Sequence, residues 1–211
     1  MNLFNYDNPI FQALTRIFDV VILNILWIIC SIPIITAGAA TTALYYSLLK
    51  INRETDSSIT GMFFKAFRQN LKQGCALTAL FGISGLILYV DVQYSRALEN
   101  SIGNILFVVF ILTFVLWGMM VSYAFPLLAQ FDNTIIGTLK NSFFMSIIHF
   151  WKTIIIVLLN AIIPVVFFVL PELFILGIPV WLSFGIAGVG FINAKLFTKI
   201  FDSYIENSDC K

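Results

Sequence analysis

Charge is what this sequence has least of. Asp, Glu, Lys and Arg make up 11% of its 211 residues, against about 25% in an ordinary soluble domain. Twelve cations and eleven anions leave a formal net charge of +1, so no global field points to nucleic acid as a partner. His149 is the one histidine, which removes His-rich metal sites. The three cysteines, Cys30, Cys75 and Cys210, form no CxxC pair and no even framework, so neither a zinc site nor disulfides are expected. There is no Walker motif, HExxH, Ser/His/Asp set or glycine-rich phosphate cradle. The expectation is a non-enzymatic protein without a cofactor. The N-terminus lacks a basic n-region and an A-x-A cleavage site, so the first helix is expected to stay in the mature protein.

What the chain does have is apolar surface. Hydrophobic residues make up 60% and aromatics 16%, with 22 Phe, and the mean hydropathy is +0.95. No soluble fold of this length hides that much. A cytosolic enzyme, a nucleic-acid binder and a disordered regulator are excluded. The predicted fold class is all-α: a polytopic transmembrane helical bundle forming one integral membrane domain over residues 1–211, with the lipid bilayer as its main partner.

A helix crossing a ~30 Å hydrocarbon core needs about 20 residues. Charge-free runs cover Val20–Leu49, Gln73–Val90, Asn100–Phe131, Thr153–Pro171 and Leu173–Ala194. The first is too long for one span and too short for two, and it is interrupted by Pro33 and Gly38. It reads as a helical hairpin turning at Pro33–Gly38, with a first helix opening on Asn8 and Pro9 as N-cap and N1. Pro126 should end the third run's span, with Leu127–Phe131 returning along the interface, and Leu170-Pro171-Glu172 should form a tight turn. The predicted membrane helices are roughly 10–32, 37–50, 74–91, 102–125, 153–170 and 173–195. The rival is five spans, with Ala37–Leu49 at the interface.

Cations give the orientation. With six helices, one side holds eleven: Arg16, Lys50, Arg53, Lys65, Arg68, Lys72, Lys140, Lys152, Lys195, Lys199 and Lys211; the other holds only Arg96. Five spans move only Arg16. Either way the C-terminus and the Lys50–Lys72 loop are predicted to be cytoplasmic, in a multi-pass protein of the bacterial inner membrane.

Two interfacial helices are predicted, 61–73 and 135–151. In the first, Phe63, Phe64, Phe67 and Leu71 fall within an arc of about 100°, and Lys65, Arg68 and Lys72 occupy the adjoining sector. This segment reads either as a stop-transfer anchor for the next span or as a docking helix for a membrane protein partner. Phe143, Phe144 and Lys152 repeat Phe63, Phe64 and Lys72 at one offset, a weak sign of duplication.

Inside the spans the polar residues are amides: Asn24, Asn160 and Asn193. Interhelical hydrogen bonding is their bland role, and lining a path for a polar solute is the sharper one. The stripes Gly74-Thr78-Gly82 and Gly190-Ala194 read as close helix contacts or as a homo-oligomer face. His149, between Ile148 and Phe150, reads as an interface residue rather than a base. Trp151 and Trp181 fit interfacial belts, and Trp27 and Trp117 lie deeper.

Pro33 to Tyr46 (P-x-x-T-x-G-A-x-T-T-A-L-Y-Y) and Phe64 to Gln73 (F-K-x-F-x-Q-N-x-K-Q) resemble the YesL family of bacterial integral membrane proteins, a domain of unknown function. Arg68 and Leu71 depart mildly from the residues common there. The resemblance implies an association with carbohydrate uptake and glycan degradation. It carries over no site residues. The leading expectation is therefore an accessory or regulatory partner in carbohydrate uptake; the alternative is a small transporter or channel for an uncharged polar solute. In a cysteine-free variant, Asn2→Cys is expected to resist an impermeant thiol reagent added outside intact cells. Labelling from outside would favour five spans.

Overall fold

A computed structural model describes residues 9–51, 58–98, 100–169, 172, 175 and 177–209. Among the described residues all regular structure is helical. Helix α1 covers Pro9–Ser31, with Pro9 at its first position; Asn8, its expected cap, lies outside the described residues. The helix stops where Pro33 removes a backbone donor. A single 3-10 turn, Ile34–Thr36, joins it to α2, Ala37–Ile51. Thr36 Oγ1 donates to the carbonyls of Cys30 and Pro33, each at 2.7 Å, which satisfies acceptors left open by the break.

Helix α3 runs unbroken from Ile59 to Ala97, 39 residues. This corrects the expected separate surface helix at 61–73. Nothing near Gln73 stops the helix, and Gly74 weakens it only modestly. The segment is thus the first part of α3, with Phe63 turned into the core and Phe64 left exposed. Helix α4, Ser101–Gln130, carries Pro126 in its interior, so the expected end at Pro126 and the interfacial return of Leu127–Phe131 are not seen. Pro126 is buried among neighbouring helices, a setting in which spans tolerate proline. Asn100 caps α4 by accepting from the Gly103 N–H at 2.7 Å.

Helix α5, Ile135–Ile148, is capped by Thr134 and ends three residues short of the predicted 151, with His149 as its C-cap. Helix α6, Phe150–Val169, leaves at 108° to it. Thr153 stitches the bend: its hydroxyl donates to the carbonyls of Ser146 (2.8 Å) and His149 (3.0 Å) and meets the Tyr123 hydroxyl at 2.9 Å. The two Phe-Phe segments therefore differ in geometry, since one runs straight into its span and the other turns. Leu170 and Pro171 of the expected turn lie outside the described residues, as do Arg53, Glu99, Cys210 and Lys211. Helix α7, Ile178–Asp209, continues well past the predicted 195.

Five of these helices are long and apolar enough to cross a membrane, or six if the bent α5–α6 pair is one span. Helix α2 is the hub, packing on α1, α3, α4 and α7. It can be central because its first half is Gly, Ala and Thr. A Cβ on Gly74 would lie 2.6 Å from the Ala39 backbone, and one on Gly38 would lie 2.6 Å from the Gly74 carbonyl. Across this contact the Gly38 N–H donates to Thr78 Oγ1 at 3.0 Å. A ring cluster of Tyr45, Tyr123, Phe197 and Phe201 fills the core between α2, α4 and α7. Outward lie large aliphatic side chains such as Ile83, Leu86, Ile105 and Leu112, all more than half exposed. That surface suits lipid and no aqueous setting.

Gly74→Leu is expected to destabilise the bundle by about 1–3 kcal/mol through overpacking, read as a lower unfolding midpoint in mixed micelles. Gly82→Leu, which faces open space, should leave the midpoint nearly unchanged. Equal effects would refute the close α2–α3 contact.

Candidate functional site

The three intramembrane amides divide into two settings. Asn24 on α1 is fully buried and fully used. Its Nδ2 donates to the carbonyls of Trp181 (3.1 Å) and Leu182 (2.8 Å), and its Oδ1 accepts from the Ala187 N–H at 3.0 Å. One side chain therefore ties α1 to the backbone of α7. Nearby, Trp27 Nε1 donates to Thr41 Oγ1 at 3.0 Å and links α1 to α2.

Asn160 on α6 and Asn193 on α7 form a relay elsewhere. Asn193 Nδ2 donates to Asn160 Oδ1 at 2.7 Å. Asn160 Nδ2 donates to Ser122 Oγ at 3.2 Å, and Ser122 donates on to the Gly118 carbonyl at 2.9 Å. Three helices, α4, α6 and α7, are joined by this chain. The fully buried Tyr45 faces Asn193 from α2. Asn193 is itself fully buried, yet its Oδ1 has no hydrogen-bond partner among the described residues. An amide acceptor left open in a dry interior costs about 1–3 kcal/mol, and the group nearest this amide from α2 is the Tyr45 side chain.

Beside this relay lies a cleft of about 350 Å³. Its polar lining is Thr41, Tyr45, Ser122 and Asn160; Phe125, Pro126 and Pro164 are among its apolar walls. Among the described residues, no carboxylate, ammonium, guanidinium or imidazole lines it. Such a site can donate and accept hydrogen bonds, but it has no group poised to move a proton near neutral pH. Among the described residues, no three His, Cys, Asp or Glu side chains gather closely enough to hold a metal.

The basic segment of α3 also divides. Phe63 is fully buried in this chain's own core and is corrected from a partner-facing residue to a packing one. Phe67 stacks on it at 6.3 Å and is partly buried. Phe64, Lys65, Arg68 and Lys72 remain exposed. The helix turns its Phe63–Ala66 stripe inward because α3 continues into the span and shares the α2 contact. His149 sits at the α5–α6 bend with Nε2 3.3 Å from the Tyr204 hydroxyl.

The signal for Asn160 and Asn193 was in the sequence, as isolated amides within charge-free runs. The signal for Thr41, Tyr45 and Ser122 was not, since hydroxyls are common in membrane helices and only the fold shows which ones face a cleft.

Fold and site define a class: a multi-pass helical membrane protein whose interior is polar but uncharged. Residues 20–92 match a family model described as "Protein of unknown function, DUF624". The chain is also 24% identical over 136 residues to "Uncharacterized protein YesL" of Bacillus subtilis (strain 168). That alignment covers 63% of this chain and 64% of the relative, just under two thirds of its length. No solved structure matches. The chain is thus similar to the YesL family, of unknown function, and both motif stretches, Pro33–Tyr46 and Phe64–Gln73, lie inside the matched region.

Replacing Asn24 by Leu is expected to cost about 1–2 kcal/mol, seen as earlier unfolding in mixed micelles. A shift no larger than that of a lipid-facing control such as Leu86→Ala would refute the α1–α7 tie.

Proposed function

We propose that this is a non-enzymatic, multi-pass protein of the bacterial cytoplasmic membrane that takes an uncharged polar solute into the cleft among α2, α4, α6 and α7. The observation that carries the reading is a cleft of about 350 Å³ lined by the hydrogen-bonded pair Asn160 and Ser122 together with Thr41 and Tyr45, with Asn193 behind Asn160 holding its amide in place. The volume falls in the range of small-molecule sites, about 300–1,000 Å³. The uncharged lining favours a neutral solute over an ion or a proton-coupled substrate. The cation asymmetry supports a cytoplasmic C-terminus.

A second reading is an accessory or regulatory partner in carbohydrate uptake, docking through the water-side third of α3. Exposed Phe64, Lys65, Arg68 and Lys72 favour it; the carbohydrate connection rests on the family resemblance alone.

Purified protein in liposomes is expected to admit at least one small neutral solute from a panel of glycerol, urea and monosaccharides. Asn160→Leu should slow that flux about three- to tenfold, the worth of a lost neutral hydrogen bond, while far-UV circular dichroism stays unchanged. No flux for any member of the panel would overturn the solute reading. Lys65→Glu, Arg68→Glu and Lys72→Glu together should leave flux intact but remove a cross-linked partner if the second reading holds.

A further inference from the structure

A second concavity lies where α3 approaches its span, outside the intramembrane cleft. Its volume is about 720 Å³. One wall is a single face of α3, where Lys65, Gln69 and Gln73 recur every fourth residue and so stack one above another. The facing wall is the end of α4 and the loop beyond it, with Gln130, Asp132 and Asn133. The rings of Tyr46 and Phe131 border the space.

The composition of these walls is selective. Every amide offers a donor and an acceptor from one planar group. A hydroxyl on a ligand likewise donates and accepts, so an amide-rich surface complements a molecule carrying many hydroxyls. Among the described lining residues one ammonium, Lys65, and one carboxylate, Asp132, offset each other; the Lys50 ammonium lies 5.3 Å from the bordering Tyr46 ring. The carboxylate can accept from two neighbouring hydroxyls, and the rings offer an apolar face for C–H groups. Lys65, Gln69, Gln73 and Asp132 make no side-chain hydrogen bond or ion pair among the described residues, so these groups are not committed to holding the fold. The α3 wall lies at or before the start of the charge-free run that opens at Gln73, and the facing wall lies at the end of the run that closes at Phe131, which puts the cleft at the water side of both spans.

We infer that this cleft binds a neutral polyhydroxylated ligand, either a free sugar or polyol or the same group displayed on a glycolipid. The inference rests on the cleft's own lining and stands apart from solute passage near Asn160.

The test uses the full chain in phosphatidylcholine nanodiscs, with binding measured by calorimetry and saturation-transfer NMR. The probes are glucose, maltose and glycerol, with glucose 6-phosphate and serine as charged comparisons; a parallel set of discs contains glucosyl-diacylglycerol. Saturable binding of a neutral free probe supports the proposal with a soluble ligand. Saturation transfer to the lipid-borne glucosyl group alone supports it with a glycolipid. In either case Gln69→Leu combined with Gln73→Leu should weaken binding about tenfold, the loss of two neutral hydrogen bonds. Asp132→Asn, at an exposed loop position, should also weaken it and serves if the double variant fails to fold. Leu86→Ala, on the lipid-facing surface, should leave it unchanged, and binding that is lost in Asn160→Leu but kept in the folded wall variants would place the ligand in the intramembrane cleft and overturn the proposal. Absence of binding by every neutral probe, tighter binding of serine or glucose 6-phosphate, or full binding by a folded wall variant would overturn the proposal.

Discussion

In lipid, burying an apolar side chain against another helix gains little over leaving it among acyl chains, so helices associate where their backbones can come close. This constraint explains why α2 is central. Gly38 and Ala39 let its backbone meet that of α3 at Gly74, and Thr78 adds a hydrogen bond to the Gly38 N–H across the gap. The larger residues that follow, Leu44, Tyr45 and Leu48, are then enclosed by α7 and α4. A bulkier opening to α2 would move every helix around it.

The same solvent dictates what happens to polar groups. None can be left to water, so hydroxyls turn back on their own helices, as Thr42 and Ser47 do on α2. Asn24 spends all of its hydrogen-bonding capacity on α7. Asn193 instead donates to Asn160, and it is Asn160, with Ser122, that lines the cleft.

Much of the fold was legible because lipid leaves a coarse trace. Uninterrupted apolar runs gave the spans, Pro33 gave the break between α1 and α2, and the Gly74–Thr78 spacing marked a close contact. The errors lie where a local signal met a tertiary one. Phe63 and Phe64 look alike in an amphipathic arc, yet Phe63 packs inward because α3 shares its inner face with the span. Pro126 reads as a stop, but a buried helix end surrounded by protein absorbs it. Of the candidate site, Asn160 and Asn193 could be chosen from sequence, whereas their separation from Asn24, and the part taken by Ser122, depend on helix rotations that no spacing encodes.

The continuity of α3 has a mechanical side. At 1.5 Å per residue its 39 residues form a rod about 58 Å long, nearly twice the thickness of a ~30 Å hydrocarbon core. The rod touches α2 at Gly74, close to where it leaves water, and no hinge separates the two parts. The part of α3 that carries Lys65 and Gln69 and the apolar part beyond Gly74 are therefore one continuous element, fixed in register to α2 by a backbone approach at Gly74 that no larger residue would permit.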